Sequence, residues 1–258
     1  MKNGILLLLF LCNCNYVYSQ KFGSWKGNQL TLSNGLVTRE ITVDNGKIFT
    51  GSIKLKGSDL NFAGSGSNEF SFLLNGKQYN GASGWRLHSF TGASDDHQGS
   101  GATVNLEGTG ALQDIVLAVT YLLYPDLPVI RKQIKISNRS GREVMIESLD
   151  IEKIQVGYTF ESSVGDTGDG RNKHLSTYIG NWDDPVMAIH SQAYQAGLIL
   201  GNESPGVLKR IDYNVTKDLA NIGLTHTTDM YPFRKYIRHG DSWTSPRVFV
   251  LPYLHSPG

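Results

Sequence analysis

The densest mixture of hydrogen-bonding and aromatic side chains in the sequence runs from 165 to 184 and reads GDTGDGRNKHLSTYIGNWDD. It contains a tryptophan followed by two carboxylates, with an arginine and a histidine upstream: Trp182, Asp183, Asp184, Arg171 and His174. An aromatic face can stack on the C–H face of a sugar, while carboxylates and guanidinium groups make paired hydrogen bonds to hydroxyls. Binding sites often lie on loops of a rigid scaffold. The loop therefore predicts a sugar site built from these five residues. The alternative is a surface loop whose Trp182 only packs against the scaffold edge.

Other clusters of polar residues give weaker patterns. The stretch GDTGDG gathers carboxylates that would suit Ca²⁺, but it lacks the spacing and closing glutamate of an EF-hand loop. Asp95, Asp96 and His97 are adjacent, and we interpret them as a solvated turn rather than as a base or a metal site. The histidines show no H-x-x-x-H spacing, so we expect no metal and no cofactor.

A sugar epimerase built on a β-sandwich would use a histidine acid and a glutamate base on two strands of the same sandwich. His190 and Glu203 are the nearest candidates, although no motif singles them out. We therefore predict no catalytic residue in this chain.

The N-terminus has the pattern of an export signal. An apolar run, Ile5–Cys12, follows Lys2 and is shorter than the ~20 residues that a membrane-spanning helix needs. Val17 and Ser19 occupy the small-residue positions of a cleavage site, so we predict a signal peptide over 1–19 and a secreted or periplasmic protein. Lipidation of Cys12 or Cys14 is the alternative.

The composition excludes several classes of partner. The formal net charge is +1 and no basic block occurs, which argues against nucleic acid and anionic membranes. Cleavage after Ser19 would leave no cysteine, so stability would depend on core burial rather than on disulfides.

Apolar and polar residues alternate with a period of two almost everywhere in the sequence, so the elements that position the candidate residues are predicted to be strands. Asn-Gly pairs at 34–35, 45–46 and 75–76 separate alternating runs and predict tight hairpins. We expect 115–124 to be a strand that is buried on both faces. In the strand from 129 to 137 the outward residues are basic or polar, and Lys132 is the one polar exception on the inward face. One or two helical turns are expected near 217–221. The pattern indicates an all-β fold with very little helix, in one large antiparallel sandwich over 20–258, although two domains remain an alternative.

Four stretches also resemble a known family: LSNGLVTREI, YPDLPVIRKQIKISNRSGREVMIESLD, IGNWDDPVMAIHSQAYQAGLILGN and IRHGDSWTSPRVFVLPY. Their order and spacing resemble the N-terminal β-supersandwich domain of the family 36 alpha-galactosidases (melibiases), which is a galactose-mutarotase-like sandwich. The likeness extends over about residues 30–253.

The resemblance implies a non-catalytic, carbohydrate-handling domain of a secreted alpha-galactosidase-like glycoside hydrolase, with a galactoside-like ligand. In that family two aspartates of a following TIM barrel do the chemistry. A barrel is expected after this domain but is absent from this chain, so no catalytic residue is carried over. Two alternatives stay open: a stand-alone mutarotase-like enzyme, and a structural module that forms a homo-oligomer.

Overall fold

A computed structural model describes residues 18–64, 67–158, 160–165, 172–175, 177–179, 185–206 and 208–255. For 18–20, 161–165, 172–175 and 177–179 it describes the backbone alone. Among the described residues, strands account for 63% and helix for 1%, which confirms the all-β antiparallel prediction. In these ranges no helix is long and apolar enough to cross a membrane.

The strands form three antiparallel sheets. The small sheet contains, in spatial and chain order, β1 (Tyr18–Gln20), β2 (Gly23–Lys26), β3 (Gln29–Ser33), β4 (Val37–Asp44) and β5 (Lys47–Leu55). The middle sheet contains β6 (Glu69–Leu74), β7 (Lys77–Asn80), β12 (Val144–Gln155), β15 (Thr177–Ile179), β18 (Lys209–Asn214), β19 (Leu219–Leu224) and β20 (Arg234–Ile237). The large sheet contains β8 (Trp85–Ser94), β9 (Ser100–Gly108), β10 (Ile115–Tyr124), β11 (Leu127–Asn138), β13 (Glu161–Gly165), β14 (Asn172–Leu175), β16 (Val186–Ser191), β17 (Ala196–Asn202), β21 (Ser242–Thr244) and β22 (Val248–Leu254).

In space, the middle sheet runs β15-β18-β19-β12-β6-β7, with β20 beside β12. The large sheet runs β14-β13-β16-β17-β22-β11-β10-β9-β8, with β21 beside β11. The predicted cleavage after Ser19 falls inside β1, and residues 1–17 lie outside the described ranges. The signal peptide therefore stays a prediction.

Two of the three Asn-Gly turns have the expected backbone. Asn45 and Gly46 both have positive φ (49° and 79°) and join β4 to β5, while Asn75 and Gly76 (50° and 79°) join β6 to β7. At 34–35 only Gly35 has positive φ, at 84°. There the Oδ1 of Asn34 instead accepts the backbone N–H groups of residues 36 and 37 at 2.9 Å, so the asparagine side chain closes the turn.

Two local predictions need correction. Residues 217–221 form a turn and the start of β19, and the helix in the described part of the chain is one 3₁₀ turn, Gly110–Leu112. Strand β10 is not buried on both faces throughout. Its outward residues Val116, Ala118 and Thr120 are half-buried, because they lie on the face of the large sheet that points away from the core.

Strand β11 shows how the large sheet meets the other two. Its inward residues include Ile130, Ile134 and Ile136, which belong to a core cluster that draws on all three sheets. Its outward residues Arg131 and Gln133 are half-buried. Lys132, which the sequence predicted as the one polar residue on the inward face, does point inward and is 2% exposed.

Lys132 is part of a buried ionic network at the junction of the three sheets. Its Nζ donates to Glu69 Oε2 at 2.8 Å and to Glu152 Oε1 at 3.0 Å. Arg39 of β4 bridges the same two glutamates, with its Nη1 2.6 Å from Glu152 Oε2 and its Nη2 3.1 Å from Glu69 Oε1. Thr50 of β5 and Tyr121 of β10 also donate to Glu69. Two cations and two anions balance, as a network that is almost entirely buried requires.

The backbone at Glu69 brings its carboxylate into this network. Phe70 and Phe72 point into the core, so simple alternation would place Glu69 on the opposite face with Ser71. Glu69 has φ of 59°, a left-handed conformation that is uncommon for a residue with a Cβ. This conformation interrupts the alternation and lets Glu69 point inward. The ion pairs with Arg39 and Lys132 offset the backbone strain.

Two asparagines, Asn138 and Asn202, have buried side chains that hydrogen-bond to the backbone of neighbouring segments. Asn138 is 1% exposed, and its Nδ2 donates to the carbonyls of Arg142 (2.7 Å) and Ile237 (2.9 Å). Asn202 is 4% exposed, and its Nδ2 donates to the carbonyl of Gly223 at 2.6 Å. Each amide thus ties its loop to backbone carbonyls of neighbouring segments.

Candidate functional site

The residues predicted from the 165–184 loop are mostly outside the described residues. Arg171, Trp182, Asp183 and Asp184 all fall there. His174 lies in β14, where its backbone pairs with Ser163, and its side chain is not described. The loop site therefore stays a prediction.

A different site lies on the outer face of the large sheet, where a cavity of about 500 Å³ opens beside the β10–β11 turn. Its lining combines aromatic, aliphatic and charged side chains: His97, Tyr124, Leu127, Val129, Arg131, Glu203, Phe249 and Leu251. We call it the Arg131 pocket.

Strand register explains why these residues meet. Arg131 of β11 pairs with Phe249 of β22, so both side chains point outward from neighbouring positions. Glu203 follows the last residue of β17, and its backbone N–H donates to the carbonyl of Arg247 at 2.9 Å. Asn34, which lies between β3 and β4 of the small sheet, holds the β10–β11 turn in place. Its Nδ2 donates to the carbonyls of Tyr124 (2.6 Å) and Leu127 (2.8 Å).

A chain of hydrogen bonds holds the polar side of the pocket. Arg131 Nε donates to Glu203 Oε1 at 2.5 Å, and Arg131 Nη1 donates to the Tyr124 hydroxyl at 2.5 Å. The Tyr124 hydroxyl in turn donates to Asp95 Oδ2 at 2.7 Å. Arg247 Nη1 lies 3.6 Å from the same carboxylate oxygen. Two guanidinium groups and two carboxylates thus balance in charge.

The surroundings keep these groups in fixed protonation states. Burial and the hydrogen bond to Asp95 raise the pKa of Tyr124 to about 12, so the phenol keeps its proton at neutral pH. Burial alone would raise the pKa of Asp95, but hydrogen bonds from Tyr124 and from two backbone amides outweigh it and lower the pKa. Burial likewise opposes the charge on Arg131, and Glu203 outweighs it and raises the pKa of Arg131. Such preorganised, charged donors and acceptors suit the binding of hydroxyl groups.

The interpretation of 95–97 as a solvated turn is wrong for Asp95. Asp96 and His97 are exposed, but the side chain of Asp95 is 6% exposed. Its Oδ1 accepts the backbone N–H of His97 (3.0 Å) and of Gly99 (2.8 Å). The Asp-x-x-x-Gly spacing was a signal for such a closed loop. The contact with Tyr124, 29 residues away, left no local signal.

His190 and Glu203 do not form an acid–base pair. His190 is opposite Gly197 on β17, whereas Glu203 lies beyond the other end of that strand. Six residues of extended chain separate these positions by about 20 Å. His190 Nδ1 is instead 3.1 Å from the hydroxyl of Tyr253.

A second polar cluster lies on the outer face of the middle sheet. Asp150 Oδ1 is 2.8 Å from His226 Nε2, and its Oδ2 accepts the hydroxyl of Ser71 at 2.5 Å. Burial alone would raise the pKa of Asp150, but the hydrogen bond and charge of His226 outweigh it and lower the pKa. Within the described ranges, no group of three or more His, Cys, Asp or Glu side chains could hold a metal ion.

Comparisons with known proteins give a likeness in structure alone. No family model and no curated protein matches the sequence. The structure of the GH36 alpha-galactosidase AgaB from Geobacillus stearothermophilus matches with a TM-score of 0.65 and 13% identity, over 93% of this chain and 41% of that chain. The alpha-galactosidase from Lactobacillus brevis matches with a TM-score of 0.66 and 11% identity, over 88% and 40%. A variant of AgaA from Geobacillus stearothermophilus, in complex with stachyose, matches with a TM-score of 0.66 and 10% identity, over 88% and 41%.

The chain therefore spans about two fifths of the length of these enzymes, and the part it covers is their N-terminal domain. At such low identity the likeness shows the fold, and it confirms the fold that the resemblance implied.

Proposed function

We propose that the chain is a non-catalytic, carbohydrate-binding domain of a secreted alpha-galactosidase-like glycoside hydrolase, and that it holds a galactoside-type sugar in the Arg131 pocket. The fold supports the first part. One observation carries the second: Arg131 is held between Glu203 and Tyr124, and Phe249, its partner residue on the neighbouring strand, lines the same pocket. A sugar that enters this pocket meets an aromatic ring and fixed hydrogen-bond partners together.

The charge balance of the pocket favours a neutral sugar. The guanidinium groups of Arg131 and Arg247 are already matched by the carboxylates of Asp95 and Glu203. An acidic sugar would gain no unpaired cation, and its own charge would lose hydration on entry. The hydroxyl groups of a neutral sugar can hydrogen-bond to these same side chains and lose less hydration free energy on entry.

The remaining parts of the proposal rest on the sequence. The predicted signal peptide over 1–19 supports export, and the residue types of the loop from 165 to 184 support a separate sugar contact on Trp182. The chemistry would belong to a separate catalytic barrel, as the resemblance implies.

Calorimetric titration of the full chain with methyl α-galactoside tests this proposal. Arg131→Met should weaken binding tenfold or more, because a hydrogen bond to a charged group contributes about 1.5–3 kcal/mol. Arg86→Met is the matched control. Arg86 forms an ion pair with Glu107 at 2.6 Å on the same sheet, outside the pocket, so binding should be unchanged.

Three results would contradict the proposal. One is equal affinity of the Arg131→Met chain and the unaltered chain. Another is tighter binding of galacturonate than of the neutral galactoside. The third, turnover of an aryl α-galactoside at an enzymatic rate, would show that the domain is catalytic.

A second candidate function is subunit contact, and it rests on exposed apolar side chains near β20. Met230, Tyr231 and Tyr236 are 84%, 59% and 56% exposed within one seven-residue stretch. Exposed apolar groups that lie close together are typical of protein contact surfaces. Light scattering that gives a dimer or tetramer, together with no sugar binding, would favour this function.

A further inference from the structure

Two aromatic residues of β22 lie on the outer face of the large sheet, each opposite a glycine of β17. Phe249 pairs with Gly201, and Tyr253 pairs with Gly197. A Cβ at Gly201 would overlap the ring of Phe249, and one at Gly197 would overlap the hydroxyl end of Tyr253. Both aromatic residues are half-buried. Each ring thus occupies the space that the glycine leaves free, with part of its surface still exposed to solvent.

Contacts with His190 fix the orientation of Tyr253. Its hydroxyl lies 3.1 Å from His190 Nδ1, and the two rings are parallel within 5° with centroids 5.8 Å apart. His190 is itself opposite Gly197, so His190, Gly197 and Tyr253 form one row across three strands. A second row contains Gly201, Phe249 and Arg131.

The distance between the two rows indicates the size of the ligand. Phe249 and Tyr253 are four residues apart on one strand, which corresponds to about 13 Å. This distance exceeds the width of a pyranose ring, so a monosaccharide cannot contact both aromatic rings. Between them lie Leu251 and, on the neighbouring strand, Ile199, both half-buried and without charge. The surface between the rings is therefore apolar.

We propose that the outer face of β22 binds an oligosaccharide along the strand, with one sugar on Phe249 in the Arg131 pocket and a later sugar on Tyr253. This inference rests on the proposed function and specifies its ligand as a chain of neutral sugars. Preformed aromatic platforms cost little conformational entropy on binding, since both rings are already held by the sheet.

Titration of the full chain with methyl α-galactoside and with stachyose, a linear tetrasaccharide, tests the inference. Stachyose should bind about tenfold more tightly than methyl α-galactoside, because one additional aromatic contact increases the affinity by about that factor. Tyr253→Ala should remove this gain and leave the affinity for methyl α-galactoside unchanged. Tyr253→Phe keeps the ring and should keep the gain. Phe249→Ala should weaken the binding of both sugars.

The outcomes separate the inference from the proposed function. Equal affinity for both sugars, or a Tyr253→Ala chain that still prefers stachyose, overturns the inference and leaves the Arg131 pocket standing. Failure of both sugars to bind overturns the proposed function and the inference together. A thermal melt of each variant shows whether a lost affinity reflects unfolding, because an aromatic ring over a glycine also stabilises a sheet. If Tyr253→Ala unfolds, Tyr253→Leu provides the test, since it keeps apolar contact with the sheet and removes the aromatic face.

Discussion

Replacing Lys132 with methionine tests whether the buried ionic network holds the three sheets together. Methionine keeps most of the length of the side chain and removes its charge. The lysine is 2% exposed, and its Nζ donates to the backbone carbonyl of Glu69 at 2.6 Å as well as to the two glutamate carboxylates. After the change, Arg39 alone faces both Glu69 and Glu152, and the buried network has a net charge of −1.

The expected loss in the free energy of unfolding is about 3–5 kcal/mol, the range found when one partner of a buried ion pair is removed. The loss should depend on pH. In the unaltered chain, burial would raise the pKa of Glu69, but Arg39 and Lys132 outweigh it and hold the pKa well below its usual range. Glu69 therefore makes its full contribution to the free energy of unfolding above the ordinary pKa of glutamate. This contribution is lost as the pH falls through the lowered pKa.

Lys132 is one of the groups that lower the pKa of Glu69, so in the Lys132→Met chain Glu69 binds a proton more readily. The difference in stability between the two chains should therefore shrink as the pH falls towards and below the ordinary pKa of glutamate. Urea denaturation followed by circular dichroism measures both effects. Lys135→Met is the matched control, since Lys135 is exposed on the same strand, and its effect should stay within about 0.5 kcal/mol.

Equal stabilities of the Lys132→Met and Lys135→Met chains would refute the reasoning, because the buried lysine would then contribute no more than a surface one. A loss that stays constant with pH would refute the electrostatic explanation and point to packing alone.

The remaining predictions concern the loop, the second polar cluster and the N-terminus. Trp182→Ala should weaken galactoside binding about tenfold with an unchanged melting temperature; a large drop in melting temperature with binding intact would make Trp182 a packing residue. Asp150→Asn should destabilise the chain more at pH 5 than at pH 3, since a carboxylate with a lowered pKa contributes fully above the ordinary pKa of aspartate, about 3.9, and loses its effect as the pH falls through the lowered pKa. Equal losses in thermal melts at the two pH values would contradict this. N-terminal mass analysis of the exported protein should give Gln20 as its first residue, and a lipidated Cys12 or Cys14 would disprove the cleavage.

The sequence allowed the all-β fold to be predicted because its signals are local. Alternation along a strand and the positive φ of Asn45 and Asn75 depend on neighbouring residues only. Lys132 was recognisable as an exception for the same reason. Its partners were not, because Glu69 is 63 residues away along the chain and points inward only through a left-handed backbone conformation.

The Arg131 pocket illustrates a second limit. Arg131 was expected to point outward, and it does. What gives it a binding geometry is the register that places Phe249 beside it and the loop that brings Asp95 to Tyr124. Register across strands far apart in sequence is set by packing of the whole sheet, so the individual segments do not specify it.

The buried asparagines have a consequence for how the protein can be produced. Asn138 and Asn202 each begin an Asn-x-Ser acceptor sequence for N-linked glycans. A glycan would be attached to the very Nδ2 atoms that donate to the carbonyls of Ile237 and Gly223, in places with no room for a sugar. A eukaryotic secretory host that modifies the chain before it folds would therefore block these two loops from closing. Asn214, the third acceptor, is half-buried at the end of β18, beside an exposed turn where a glycan can extend into solvent.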